Sequence, residues 1–288
     1  VGSFSLNIYI GTSSGWQNNE PISAETLFTL DARSRASWSG SGATWNDLSP
    51  YARNALLVNG PAAGSQAIEF DGINDYLEIA AGNWIPEGAS PKTFECYARI
   101  DDWRPGGWTF LASKTSTLSQ SFSFGFKEDN GSVKLVLISQ GGGNFSELTD
   151  YYTIPNPNNL LGSFHHYAFS YDGNIAKIYI DGSVVFTSNA GKIFGVNSAP
   201  LRLMAFDPYS PSYAWPVHGA LRGARLYDRP LSDTDINSSY LNWTSTPTVN
   251  SLPSVTVSNG RALSLRPNTG NALSAVFVDP GLSLVDPD

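Results

Sequence analysis

The stretch SFHHYAFSYDGNIAKIYIDGSVVF, residues 163–186, does most to limit how this chain folds. Two Asp-Gly dipeptides, Asp172-Gly173 and Asp181-Gly182, cut it into three short runs. In the middle run Ile175, Lys177 and Tyr179 oppose Ala176, Ile178 and Ile180, as successive side chains of a strand do. Asp-Gly accepts positive φ at low cost, which suits a tight reversal and not a helix. Three consecutive antiparallel strands follow. The same grammar recurs elsewhere. Asn130-Gly131 separates 120–127 from 132–139, and in KTFECYARI the residues Phe94, Cys96, Ala98 and Ile100 share one face. Further strand candidates are 66–71, 75–80, 92–101, 107–114, 200–206 and 218–228. Period-two alternation between frequent turns predicts an antiparallel sandwich.

Composition agrees with that reading. Charged residues make up 15% of the 288, against 27 glycines, 18 prolines and 12% aromatics. A single all-β sandwich can reach this length. One helix is expected at LSDTDINSSYLNW, where Ser232 caps, Asp233 and Asp235 fall in the first turn, and Ile236, Tyr240 and Trp243 recur at helical spacing. The division expected is an N-terminal extended segment (1–26), a body (27–244), and a C-terminal arm or start of a further module (245–288).

The net charge is −8 without a basic cluster, which argues against nucleic acid as a partner. Cys96 is the single cysteine, so no intrachain disulfide forms, and assembly in a reducing compartment is expected. No run of 18 apolar residues occurs, and no membrane insertion is expected. Val1 opens the chain, as in a processed product or a piece of something longer.

Four segments then occur in order: AIEFDGINDYLEIA, TFECYARI, SFHHYAFSYDGNIAKIYIDGSVVF and HGALRGARLYDRPLSDTDI. Together they resemble the laminin-G-like jelly rolls of the concanavalin A-like lectin/glucanase superfamily, over about residues 27–243. The segment LFTLDARSRASWSGSGATWNDLSPYARNALLVNGP is similar to lead-ins of bacteriophage virion proteins and bacterial surface proteins. The fold implied is all-β: a two-sheet antiparallel jelly-roll sandwich with one short peripheral helix and extended terminal segments. The function implied is a non-enzymatic virion structural or adhesion protein, in a phage fibre or capsid decoration, with host-glycan binding. The alternative is a carbohydrate-binding or adhesin module of a bacterial surface protein; a glycoside hydrolase comes third. The expected location is the virion surface, or else the bacterial cell surface. The expected partners are other virion or surface-protein subunits, a glycan, and further copies in a homo-oligomer.

Several residues suggest chemistry. Alternation puts His165 and His166 on opposite faces, so they cannot jointly hold one metal, and His218 is far along the chain. Glycoside hydrolysis needs two carboxylates across a cleft. Glu69 and Asp71 share a face, but the positions where the family's hydrolases carry a further glutamate are Ile73 and Asn74. GTSSG (11–15) has the G-x-S-x-G form but lacks a good following helix. No catalytic residue is expected. No cofactor is required; calcium is the weak case, because many laminin-G-like domains bind it at the rim. Asp71, Asn74 and Asp75 are the candidates here. The family often carries acidic residues after the glycine of its last core strand, yet this chain has Arg222 and Gly223 there, which puts such a site in doubt.

Two aromatic loops remain. FDPYSPSYAWPVHG carries Tyr209, Tyr213 and Trp215, and DDWRPGGW carries Trp103, Arg104 and Trp108. Three readings stay open: a shallow glycan groove, a subunit interface, or a cap on the sandwich core.

Overall fold

The computed structural model describes residues 4–8, 25–64, 66–116, 119–139, 149–191, 193–206 and 214–245, and strands at 254–256, 262–263, 273–277 and 283–285. The early strands are β1 (Phe4–Ile8), β2 (Thr26–Asp31), β3 (Thr44–Trp45), β4 (Ala55–Val58), β5 (Ala62–Ala63), β6 (Ile68–Asp71) and β7 (Tyr76–Ile79). Next come β8 (Lys92–Ile100), β9 (Trp108–Ser116), β10 (Ser119–Asp129), β11 (Ser132–Ile138) and β12 (Thr149–Thr153). Then come β13 (Phe164–Tyr171), β14 (Ala176–Ile180), β15 (Ser183–Thr187), β16 (Leu201–Leu203), β17 (His218–Tyr227) and helix α1 (Asp233–Thr244). Four short strands close the chain: β18 (Ser254–Thr256), β19 (Ala262–Leu263), β20 (Leu273–Phe277) and β21 (Ser283–Val285).

The chain divides into two compact units, Glu20–Ser245 and a second made of Val1–Asn19 with Thr246–Asp288. In the second unit β1 pairs antiparallel with β20, and β18 lies between β19 and β21. The first unit is a two-sheet antiparallel jelly-roll sandwich. One sheet runs β12-β11-β10-β9-β16-β7-β4-β3; the other runs β15-β14-β13-β8-β17-β6-β5, with β2 added along β17. Consecutive strands repeatedly change sheet, as β6 to β7 and β8 to β9 do, so their connections lie on the ends of the sandwich.

The expected meander is present as β13-β14-β15. Its Asp181-Gly182 turn has φ of 48° and 74°, and Asn130-Gly131, between β10 and β11, has 51° and 85°. Short polar or glycine residues tolerate such angles, which is why the turns were readable. Inward side chains of both sheets interlock. Phe94 sits 6.2–6.3 Å from the rings of Phe122, Phe124 and Phe169, and Cys96 is fully buried in the same core. Each such phenyl contributes about 1.5–3 kcal/mol by leaving water.

The opposite face of β8 carries Glu95, Tyr97 and Arg99, and α1 covers part of it. Ser232 caps the helix, exchanging hydrogen bonds with Asp235. Beneath it Glu95, wholly buried, takes hydrogen bonds from Arg225 Nη1 (3.2 Å) and Tyr227 Oη (3.1 Å) and lies 3.0 Å from His166 Nε2. Burial alone would raise this carboxyl. The His166 hydrogen bond and the Arg225 charge outweigh it and hold the pKa at about 2. At one end of the sandwich Phe194 plugs the gap between the sheets. Lys92 Nζ lies 4.1 Å from its ring and donates to Ser90 O. Burial pulls the Lys92 ammonium down to about 7, against the nearby Glu87 charge.

Candidate functional site at the sandwich rim

At the other end three connections converge: the β6–β7 turn (71–75), the β8–β9 loop (101–107) and residues 214–217 before β17. Strand β17 gathers them, because His218 pairs with Asp71 on one side while Gly219 pairs with Ile100 on the other. Gly72 makes the close approach workable. Its φ is 72°, and a Cβ there would stand 2.7 Å from His218 Cβ.

The result is a recess of about 300 Å³ walled by Asp71, Asp102, Trp103, Arg104, Pro216 and His218. His218 Nδ1 lies 2.8 Å from Asp102 Oδ2, and both side chains stay about half exposed. Arg104 Nη2 donates to Pro216 O (3.1 Å) and Gly72 O (3.4 Å), so it clips all three connections together. Trp103 packs on Phe126 at 5.0 Å, and its buried indole N–H has no hydrogen-bond partner among the described residues. A buried donor left unpaired costs about 1–3 kcal/mol.

The residues selected from sequence are thus distributed unevenly. Trp103 and Arg104 wall the recess. Trp108 and Trp215, 6.2 Å apart, join Phe110 and Phe206 in a separate aromatic cluster. Trp108 stacks on Phe110 at 5.3 Å and Trp215 lies 5.2 Å from Phe206. Tyr209 and Tyr213 lie outside the described residues, as does GTSSG at 11–15. The Asp102–His218 pair was missed by sequence reasoning. The available signal was positional: both residues stand at the same end of neighbouring strands.

The turn Asp71–Asp75, the candidate for calcium, is organised by its own hydrogen bonds. Asp71 Oδ1 accepts from the backbone N–H of Ile73 (2.8 Å) and Asn74 (3.3 Å), and Asp75 Oδ2 accepts from Asp71 N. Asn74 O is taken by Asn59. Burial raises the Asp75 carboxyl; the Asp71 N–H opposes that and the Asp71 charge adds to it. One oxygen of each carboxylate and the Asn74 carbonyl serve the turn, and a guanidinium already reaches Gly72 O. Among the described residues no three His, Cys, Asp or Glu side chains gather as a metal site would need.

The three histidines do not converge. His165 faces Asp181 (2.7 Å), His166 faces Glu95, and His218 faces Asp102. Glu69 is held by Arg99 at 2.7 Å, and Arg99 also grips Asp101 at 2.6 Å. Glu69 and Asp71 are therefore each committed, one to an ion pair and the other to turn amides.

Solved structures share the fold at low identity. The binding domain of Paraclostridial Mosquitocidal Protein 1 matches with a TM-score of 0.56 and 14% identity, over 77% of this chain and 53% of that one. Trypanosoma rangeli sialidase in complex with sialic acid matches with a TM-score of 0.55 and 13% identity, over 77% of this chain and 33% of that one. The HCR/D W1238A mutant matches with a TM-score of 0.57 and 11% identity, over 83% and 59%. The chain thus spans about half of the toxin domain and a third of the sialidase. No curated protein matches it. The family model Laminin_G_3, described as concanavalin A-like lectin/glucanases superfamily, matches residues 71–237. Sandwich, meander and matched segment agree, and the chain belongs to the laminin-G-like branch of the concanavalin A-like lectin/glucanase superfamily.

Proposed function

We propose that this chain is a glycan-binding adhesion module without catalytic machinery of its own, repeated on a larger surface assembly such as a phage fibre or capsid. The observation that carries the reading is the rim recess, which sets an exposed carboxylate–imidazole pair beside the Trp103 ring and the Arg104 guanidinium. Sugar hydroxyls both donate and accept, and they match such a mixed set. Membership of a superfamily of lectins and glucanases supports the ligand class. The commitment of Glu69 to Arg99 supports binding over hydrolysis. A recess this shallow binds weakly, and linked copies gain about 10²–10⁴ in avidity without new contacts.

The test is a glycan array probed with multimerised protein. Asp102→Asn removes the rim's negative charge and His218→Ala removes its imidazole, and each should weaken the retained glycans about tenfold or more. Trp215→Ala, in the separate cluster, should leave them bound. Absence of binding at every glycan density, or turnover of a bound polysaccharide, defeats the reading. Antibody labelling of intact particles tests the virion assignment.

A further inference from the structure

Arg222 occupies the position where the resemblance anticipated a carboxylate, and the rim recess makes no use of it. It is the extra residue of a bulge in β17, between Leu221, opposite Ala98, and Gly223, opposite Tyr97. The bulge turns its side chain onto the outer face of the sheet. There its guanidinium carbon lies 4.4 Å from the Phe164 ring centre and 5.2 Å from that of Tyr97. The rings are parallel within 13° and 5.6 Å apart, and Trp243 continues the stack behind Tyr97 at 6.0 Å.

Its surroundings set this arginine apart. Arg33, Arg99, Arg202, Arg225 and Arg229 each have a carboxylate within 4.0 Å. Arg53 and Arg104 donate to backbone carbonyls. Arg222 has neither: its Nε is buried and unpartnered, and no hydrogen bond or ion pair engages the guanidinium among the described residues. The nearby acid, Asp31, is already taken by Arg33. A guanidinium keeps its proton, so a half-buried positive charge stands here without an acceptor. Stacking on rings recovers part of the lost hydration and leaves the N–H edge unmatched. That edge is a fork suited to two parallel bonds with a carboxylate.

We propose that Arg222, backed by Phe164 and Tyr97, is an anion subsite that takes the carboxylate of an acidic sugar. The choice of a sugar as bearer rests on the glycan-binding reading above; the choice of a carboxylate does not. The subsite lies four residues along β17 from His218, about 13 Å at strand rise. An acidic residue on a chain of sugars seated at the rim spans that distance. Selectivity for acidic over neutral glycans then resides in Arg222 and not in the recess.

The experiment follows the Arg Nε–Hε resonances by NMR during titration with sodium glucuronate, glucose and sodium acetate. The Arg222 signal is identified by its loss in Arg222→Lys. Glucuronate should shift it, and glucose should not. Arg222→Lys keeps the charge but loses the fork, and should weaken glucuronate about tenfold. Arg222→Met should abolish binding while melting at or above the wild-type temperature, because an unpaired buried charge is removed. A melting temperature that falls instead makes the arginine a packing element and overturns the proposal. So does an Arg222 signal unmoved by glucuronate, and an equal response to acetate overturns the sugar assignment. His218→Ala separates the two readings: it should weaken rim binding about tenfold or more and leave the Arg222 shift intact. Neutral glycans that bind at the rim while glucuronate leaves the Arg222 signal unmoved defeat only this inference.

Discussion

Glu95 and Lys92 are neighbours on one strand and respond to opposite ends of the pH scale. The Glu95 carboxyl takes up a proton near pH 2 when folded, against 4.5 in the open chain. Its contribution is therefore complete above pH 4.5 and drains away as pH falls toward 2. Glu95→Gln leaves Arg225 without its buried counter-charge and should lower stability by about 3–5 kcal/mol at neutral pH, measured by urea unfolding. Lys92 behaves the other way. The folded amine releases its proton near pH 7 and the unfolded one near 10.5, so between these values the unfolded state binds more protons. Stability should rise from pH 7 to pH 9. Lys92→Met should be more stable than wild type at pH 7, by about 1–3 kcal/mol, and should lose that slope. A lower melting temperature for Lys92→Met would show that the amine's bond to Ser90 O matters more than its desolvation.

At the scale of elements, the legible parts were those that carry their own signal. Asn130-Gly131 and Asp181-Gly182 fix their hairpins because the turns need φ > 0, and Ser232 with Asp235 fixes the helix start. Within the sandwich, the strands β3, β4, β5 and β12 were not anticipated. Each is two to five residues long and outermost in its sheet, or paired only with a short neighbour, so pairing partners and not local pattern create it. The rim recess was half legible. Trp103 and Arg104 stood out by residue type, but Asp102 meets His218 only through the β8–β17 register, which joins residues 116 apart. The contact of α1 with β17 makes a sharp prediction. A Cβ on Gly223 would collide with the Trp243 ring and with Leu30 O. Gly223→Ala should therefore shift the helix C-terminal turn or push β2 away, at about 1–3 kcal/mol. Loss of Trp243 near-ultraviolet dichroism, with the far-ultraviolet spectrum kept, would report it.

For the molecule as a whole, β17 is the strand on which the sandwich depends. It joins β8 along one edge and divides the other between β6 and β2, so it ties residues 26–31 and 68–71 to residues 218–227. Among the described residues no helix is long and apolar enough to cross a membrane, and the burial that drives folding is the inter-sheet core. A fragment ending before His218 should fail to unfold cooperatively in urea and should bind a hydrophobic dye, because the edges of β8 and β6 are then open. Closure of this sheet must also await a late part of the chain. During synthesis β2, β6 and β8 leave the ribosome before β17, with complementary edges facing nothing. A chaperone, or a neighbouring nascent copy on the same message, has its window for engagement in that interval.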